Sequence, residues 1–222
     1  MRRLPKVALA VGLLAAAAVA ASKPHVIVFG RWQPVKLFAG PSEKTSVELR
    51  VRTLSVDGRL REFTLGEPHE VTDRLFVVRR AFRVNDSLPA DDRRPPDWKW
   101  QRGGWLLVDR QTGRVSAVAL PDFDPHSSAA SWYRDYAAYC AVSDDGERLL
   151  AVVAQLGQRR PVVRKDLGAP RAAEMPDSEC PPPEWQKQPV RVTFAPAGGQ
   201  KISFTIRGHA ADLVPEGEEE RP

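Results

Sequence analysis

The amino-acid sequence predicts an all-β protein of about a dozen antiparallel strands, joined in hairpins and meanders. Apolar runs of strand length recur along the chain and show almost no helical period. Asp-Gly pairs at Asp57-Gly58 and Asp145-Gly146 stand between such runs, as tight hairpin turns require. Pro-rich segments at 88–97 and 168–183 separate the runs and are predicted to be loops.

Residues 1–20 have the pattern of a secretory signal peptide. Arg2, Arg3 and Lys6 form a basic start, an apolar Ala-rich run follows from Val7 to Ala20, and Ala18-Val19-Ala20 suits a signal peptidase. The alternative is an uncleaved anchor helix, but the run is shorter than the roughly 20 residues that usually span a bilayer. The sequence therefore predicts an exported protein, periplasmic or extracellular, with no stable membrane span after cleavage.

Five strands are predicted in the first part of the mature chain. One of them, 47–51, alternates apolar and polar side chains and should be half buried. The Asp-Gly pair at 57–58 turns the chain back into the next strand. The five runs are His25–Phe29, Val35–Phe38, Val47–Val51, Leu60–Leu65 and Leu75–Val84.

A further hairpin and a short helix are predicted before the centre of the chain. The hairpin pairs Gly104–Val108 with Val115–Leu120. The segment Ser127–Tyr136 favours a short helix, because a serine can cap it and Trp132 and Tyr136 are four residues apart.

The central hairpin is predicted to lie between two other layers. Its arms, 136–142 and 149–154, are apolar on both faces, which is typical of a sheet that is covered on both sides. The next run, Pro161–Lys165, should be an edge strand, because Pro cannot donate to a ladder and the charges of Arg164 and Lys165 oppose edge pairing.

The last predicted hairpin pairs 190–194 with 202–206. Alternation is strict there, so one face should be exposed to water. Residues 212–222 hold five acidic residues and one basic residue, and they are predicted to be a disordered acidic tail. Residues 21–211 are thus expected to form a single all-β domain.

Two segments resemble parts of one known architecture. The segment Tyr136–Val153 is similar to the inner strands of a blade in bacterial exported β-propeller proteins, where a Ser-x-Asp-Gly turn joins two apolar strands. The segment Gly104–Val118 is similar to the outer hairpin of such a blade. The resemblance covers roughly a quarter of the chain and one blade. It implies a propeller-like stack of meanders, and a sandwich is the other architecture that the strand count allows.

Cys140 and Cys180 are the two cysteines of the chain. In an oxidising compartment they can form a disulfide, which would close a loop of 40 residues and contribute roughly 4 kcal/mol in the chain-entropy model. The alternative is a pair of buried or unpaired thiols. A disulfide is favoured because Cys180 lies in a Pro-rich loop with few other constraints.

Charge and motifs exclude several kinds of partner. Removing Arg2, Arg3 and Lys6 from a net charge of +5 leaves +2, too small a bias for a nucleic-acid footprint. The sequence has no phosphate-binding glycine loop, zinc-ligand spacing or dinucleotide fingerprint. It therefore predicts no cofactor and no nucleic-acid partner.

Two aromatic and basic clusters are the candidate binding residues. Such side chains are enriched at interface hot spots. The alternative is that the aromatic rings belong to the core. The candidates are Trp98, Trp100, Arg102, Trp132, Tyr133 and Arg134.

Two other functions compete with a non-catalytic module that binds a protein or an envelope ligand through the aromatic side chains of its loops. Asp122, Asp124 and His126 would share a side of an extended loop, and their ligand types suit a divalent metal in a hydrolase. The competing explanation is a Pro-bounded turn whose aspartates bond the backbone. The other function is a purely structural envelope module. The sequence shows no Gly-x-Ser-x-Gly nucleophile motif, and no catalytic residue is predicted.

Overall fold

The computed structural model describes residues 23–38, 46–85, 96–170 and 180–215. It confirms the all-β prediction, with fifteen strands in three sheets and no helix in the described ranges. No segment within these ranges forms a helix that is long and apolar enough to cross a membrane. The predicted signal peptide, 1–20, lies outside the described residues.

The first sheet has seven strands and closes on itself. From β3 to β7, each strand pairs antiparallel with the next one along the chain. β2 closes the sheet: it pairs antiparallel with β3, and its Leu37 pairs in parallel with Trp100 of β6. β1 adds to β3 beyond the end of β2. The strands are β1 Ile27–Phe29, β2 Gln33–Phe38, β3 Ser46–Val56, β4 Arg59–Glu70, β5 Leu75–Asn85, β6 Trp98–Asp109 and β7 Val115–Val118.

The second and third sheets are four-stranded antiparallel meanders in chain order. The second contains the central hairpin, with β11 as its predicted edge strand, since β11 pairs with β10 alone in the described chain. The second sheet is β8 Ser131–Tyr133, β9 Tyr136–Val142, β10 Leu149–Gln155 and β11 Val163–Gly168. The third is β12 Glu184–Gln186, β13 Arg191–Phe194, β14 Ile202–Arg207 and β15 Ala210–Leu213.

The central hairpin is buried on both faces, as its sequence predicts. The face with Ala138, Cys140 and Val153 shares a core with Phe194 and Phe204 of the third sheet. The opposite face packs against segments that precede the second sheet, and its buried residues are Ala137, Tyr139, Ala141, Leu150, Val152 and Ala154. The second sheet is therefore the middle layer of a stack, an arrangement that fits a sandwich.

The third sheet ends the stack on one side, and β1 covers an apolar cluster of the first sheet. On the third sheet, the face away from the core carries polar side chains, and the hydroxyls of Thr193 and Ser203 lie 2.8 Å apart there. On the first sheet, Phe76 and Val108 pack beneath Ile27 and Phe29 of β1. A polar outer face ends a stack because no apolar surface is left to bury.

Three local expectations differ from the structure. The segment 127–136 forms turns and the short strand β8 instead of a helix, because pairing of Trp132 with Ala137 satisfies its backbone within the second sheet. The predicted tail begins at Asp212, yet Asp212 and Leu213 pair with β14 in the last strand, and 216–222 lie outside the described residues. Trp98 and Trp100, predicted as loop aromatics, belong to the long strand β6.

Candidate functional site

The start of β6 carries two of the predicted binding residues on one face. Trp98 and Trp100 alternate with Lys99, and they lie opposite Asn85 and Arg83 of β5. Trp98 is 54% exposed, and it is the one aromatic residue among the exposed large hydrophobic residues of the described chain. Phe63 from β4 meets Trp100 edge to face, with ring centres 5.1 Å apart. We call Phe63, Arg83, Trp98 and Trp100 the aromatic–arginine patch.

Arg83 holds the patch together. Its guanidinium carbon lies 5.6 Å from the ring centres of Phe63 and Trp98, and 5.4 Å from that of Trp100. Contacts of this kind contribute about 0.5–1 kcal/mol each at exposed sites. No carboxylate pairs with Arg83 in the described part of the chain. The patch therefore presents a preorganised indole ring and a positive charge to solvent.

The other predicted cluster lies between the sheets. Trp132 meets Trp105 of the first sheet edge to face at 5.2 Å and stacks on His69 at 6.0 Å. Tyr133 stacks on Trp185 of the third sheet at 5.5 Å. Successive side chains of a strand point to opposite faces. Trp132 of β8 therefore packs against the first sheet, and Tyr133 packs against the third.

Arg134 belongs to the turn that follows β8. Its backbone has a φ of 53°, and its carbonyl oxygen accepts a hydrogen bond of 2.8 Å from Nε2 of His69. The guanidinium lies over the ring of Tyr133, 5.3 Å from its centre. The six predicted binding residues thus do not form one surface, and the packing of Trp132 and Tyr133 matches the core alternative.

Arg102 lies at a cavity that the sequence does not reveal. Arg79 pairs with Trp105 and Ala81 pairs with Arg102, so Gly103 and Gly104 lie opposite a single residue of β5. This bulge places Arg102 and Trp105 on one face of β6. A Cβ at Gly103 would lie 2.9 Å from Cβ of Arg80, so the close approach requires glycine.

A second bulge lies on the other side of β5. Leu65 pairs with Arg79 and His69 with Val77, so the three residues 66–68 lie opposite one residue of β5. Gly66 has a φ of 64°, which glycine adopts without strain. We call the space beside the two bulges the bulge cavity; it measures about 450 Å³. Its lining includes Trp32, Leu49, Arg50, Leu65, Glu67, Arg79, Arg102 and Ser128.

Arg79 fixes one wall of this cavity. Its guanidinium donates to the carbonyl oxygens of Gly103 at 2.8 Å, Pro125 at 2.7 Å and Ser128 at 3.2 Å. The charge lies 5.0 Å from the ring centre of Phe123. These bonds join the bulge of β6 to the loop that precedes the second sheet, so the wall is rigid.

The Asp122–His126 loop is explained by local folding. Asp122 forms an ion pair of 2.9 Å with Arg164, and Asp124 accepts hydrogen bonds from the backbone N–H of His126 and the hydroxyl of Ser127. Burial acts to raise the pKa of Asp124, but the hydrogen bonds from Ser127 and His126, together with the electrostatic interaction with His126, outweigh it, and the pKa lies below its ordinary value. No group of three His, Cys, Asp or Glu side chains suited to a metal occurs in the described ranges. The loop gives no support to a metal-dependent hydrolase.

The predicted disulfide is present. Cys140 and Cys180 are bonded, with their Cα atoms 6.1 Å apart, and both are buried in the core between the second and third sheets. The bond ties the segment before β12 to the middle of β9. It stabilises the stack that positions Trp185 against Tyr133.

The alternation of residues along β6 is enough to predict that Trp98 and Trp100 share a face. The sequence did not predict that Arg83 and Phe63 join them, and it did not predict the bulge cavity. The glycine pair at 103–104 was the one available signal for the cavity, because glycine within a strand often marks a bulge. Comparisons with protein-family models, curated proteins and solved structures gave no match to this chain.

Proposed function

We propose that this chain is an exported, non-catalytic β module that binds a protein of the cell envelope through the aromatic–arginine patch. The exposure of Trp98 carries the proposal. A tryptophan residue that is 54% exposed on a regular strand leaves a large apolar area in water unless a partner covers it.

Preorganisation of the patch supports the same conclusion. Arg83 contacts three rings, so Trp98 loses little side-chain freedom when a partner binds. Trp and Arg are also the residue types most enriched at interface hot spots. Export is supported by the basic and apolar start of the sequence and by the disulfide.

The three meanders β4–β7, β8–β11 and β12–β15 support the resemblance to propeller blades. Each has four antiparallel strands in chain order. We propose that the chain is related in architecture to exported propeller proteins, as a stack of three blades.

Photocrosslinking tests the binding proposal. A photoreactive amino acid is placed at position 98 and, in a matched control, at position 213, because Leu213 is 53% exposed on the third sheet. We expect crosslinking in the intact envelope to give a discrete protein adduct from position 98 and none from position 213. Equal adducts from both positions, or an adduct of glycan alone, would contradict a protein partner at the patch.

Affinity for the crosslinked protein gives the second measurement. Trp98→Ala should weaken binding by about 1–2 kcal/mol, or roughly 5–30-fold, and leave the urea midpoint nearly unchanged. Arg83→Gln should weaken it as well, because Trp98 loses its support. Leu213→Ala is the control and should bind normally. A loss of about 3–5 kcal/mol of stability in Trp98→Ala would instead identify a core residue.

A purely structural module is the second candidate. It is favoured by the packing of Trp105, Trp132 and Trp185 between the sheets, which gives most aromatic side chains a structural role. For such a module, Trp98→Ala would have no effect on envelope crosslinking or on any affinity.

A further inference from the structure

The bulge cavity lies where two irregularities flank one strand. Residues 66–68 of β4 and Gly103-Gly104 of β6 both interrupt pairing with β5, on either side of Arg79. Bulges are over-represented next to functional sites, where they redirect side chains or end pairing. Here they open the sheet beside Arg79 and leave about 450 Å³ of space.

The lining of the cavity combines an apolar wall with guanidinium groups. Trp32, Leu49 and Leu65 form the apolar part, and Arg50, Arg79 and Arg102 supply the charges. This volume lies within the range of small-molecule sites, which are mostly apolar with a few polar groups that orient the ligand.

The single carboxylate of the lining is already engaged. Oε2 of Glu67 accepts a hydrogen bond of 2.7 Å from Nη2 of Arg52. The guanidinium of Arg52 is held over the rings of Phe29 and Trp32, 4.2 Å from each ring centre. The charge of Glu67 is thus balanced by Arg52, which does not line the cavity.

Arg50 is the lining residue best placed to contact a ligand. Its side chain is exposed, and its guanidinium carbon lies 5.8 Å from the ring centre of Trp32. No carboxylate pairs with it within the described ranges. A planar guanidinium next to an indole ring can bind an oxyanion in a bidentate manner while the ring covers an apolar body.

We propose that the bulge cavity binds an organic anion with a flat, apolar body, its carboxylate or phosphate group facing Arg50 and Arg102. The apolar body lies against Trp32 and Leu65. This site is separate from the aromatic–arginine patch and does not depend on the proposed protein partner.

Calorimetry and NMR with three naphthalene probes test the site on the mature, disulfide-bonded protein. The probes are 2-naphthoate, 2-naphthyl phosphate and the neutral 2-naphthamide. We expect at least one anion to bind about tenfold or more tightly than the amide, with affinity that falls as salt is added, because ions screen the charges. The preferred anion distinguishes a carboxylate ligand from a phosphate ligand. Equal binding of all three probes would overturn the proposal.

Matched variants locate the binding. Arg50→Gln and Arg102→Gln should each raise the dissociation constant of the preferred anion by about tenfold. Arg83→Gln is the control, since Arg83 also lies against tryptophan rings but belongs to the aromatic–arginine patch. If Arg83→Gln abolishes binding and Arg50→Gln does not, the anion binds the patch and the cavity proposal is wrong. If no probe binds, it is wrong as well, and the crosslinking test at position 98 is unaffected.

Discussion

Removal of the Tyr139 hydroxyl, in the second sheet, should lower the free energy of unfolding by an amount that depends on pH. Tyr139 is fully buried in the second sheet, and its hydroxyl donates a hydrogen bond of 2.5 Å to the carbonyl oxygen of Pro121. Its ring meets Phe123 edge to face at 5.1 Å. Tyr139→Phe keeps the ring and leaves the carbonyl without this donor, so it should cost about 1–3 kcal/mol near pH 7.

The cost of Tyr139→Phe should shrink at alkaline pH. Burial raises the pKa of the Tyr139 hydroxyl above its ordinary value, and the carboxylate of Asp122 raises it further. The unfolded tyrosine loses its proton near pH 10, whereas the folded one keeps it. Stability from this group is thus complete below pH 10 and falls as the pH rises toward the folded pKa. Between pH 9 and pH 11, this group should lower the free energy of unfolding of the unsubstituted protein by about 1.4 kcal/mol, a loss that Tyr139→Phe does not share.

Urea unfolding at pH 7, 9, 10 and 11, followed by circular dichroism, measures both effects. The difference in free energy of unfolding between the two proteins should be largest at pH 7 and smaller by about 1.4 kcal/mol at pH 11. Tyr136→Phe is the comparison variant: the Tyr136 hydroxyl donates to the carbonyl of Gly208. Burial also raises the pKa of Tyr136, so the cost of this variant should shrink in the same direction as the pH rises. A difference for Tyr139→Phe that stays constant from pH 7 to pH 11 would refute the reasoning.

Three further predictions concern the disulfide, the turn between β6 and β7, and export. Thiol labelling of denatured, unreduced protein should find no free thiol, and reduction of Cys140–Cys180 should lower stability by at most about 4 kcal/mol; two labelled cysteines would contradict the bond. Gly113→Ala should lower the free energy of unfolding by about 1–3 kcal/mol, because Gly113 has a φ of 65° and a Cβ would lie 2.8 Å from Cγ of His25. Gly104→Ala is the control: a Cβ at this position would have no atom within 4 Å, so the free energy of unfolding should hardly change in the same urea titration. N-terminal sequencing of exported protein should begin near Ala21, and a sequence that starts at Met1 would exclude cleavage.

The sequence alone was sufficient to predict features that depend on neighbouring residues. Two apolar faces on the central hairpin predicted a sheet covered on both sides, and the buried clusters on either side of β9 and β10 confirm it. The charges around Arg164 predicted an edge strand, and β11 pairs with β10 alone in the described chain. Strict alternation after 190 predicted a face exposed to water; that face is polar, but Ser203 on it is only 2% exposed. These features follow from the two-residue period of a strand, which the chain carries in itself.

The tertiary structure decided which aromatic side chains are exposed. Trp98 and Trp132 lie in similar sequence contexts, each beside a basic residue and a second aromatic ring. Trp132 is packed because β8 lies between two sheets. Trp98 is exposed because it lies at the start of β6, where Arg83 lies over its ring. Propensity and alternation cannot separate these cases, since burial depends on elements that are distant in sequence.

The bulge cavity also required the tertiary structure. Simple alternation places Arg102 and Trp105 on opposite faces of β6, and the extra residue at Gly103-Gly104 brings them to the same face. A bulge is defined by a mismatch in length between two paired strands, so it depends on how they are paired. The parallel contact of Leu37 with Trp100, which closes the sheet, joins residues 63 positions apart in the chain. The sequence therefore predicted most of the strands, the two buried faces of the central hairpin and the cysteine pair. The registers between distant strands, which depend on how the whole sheet closes, decided where the bulge cavity lies.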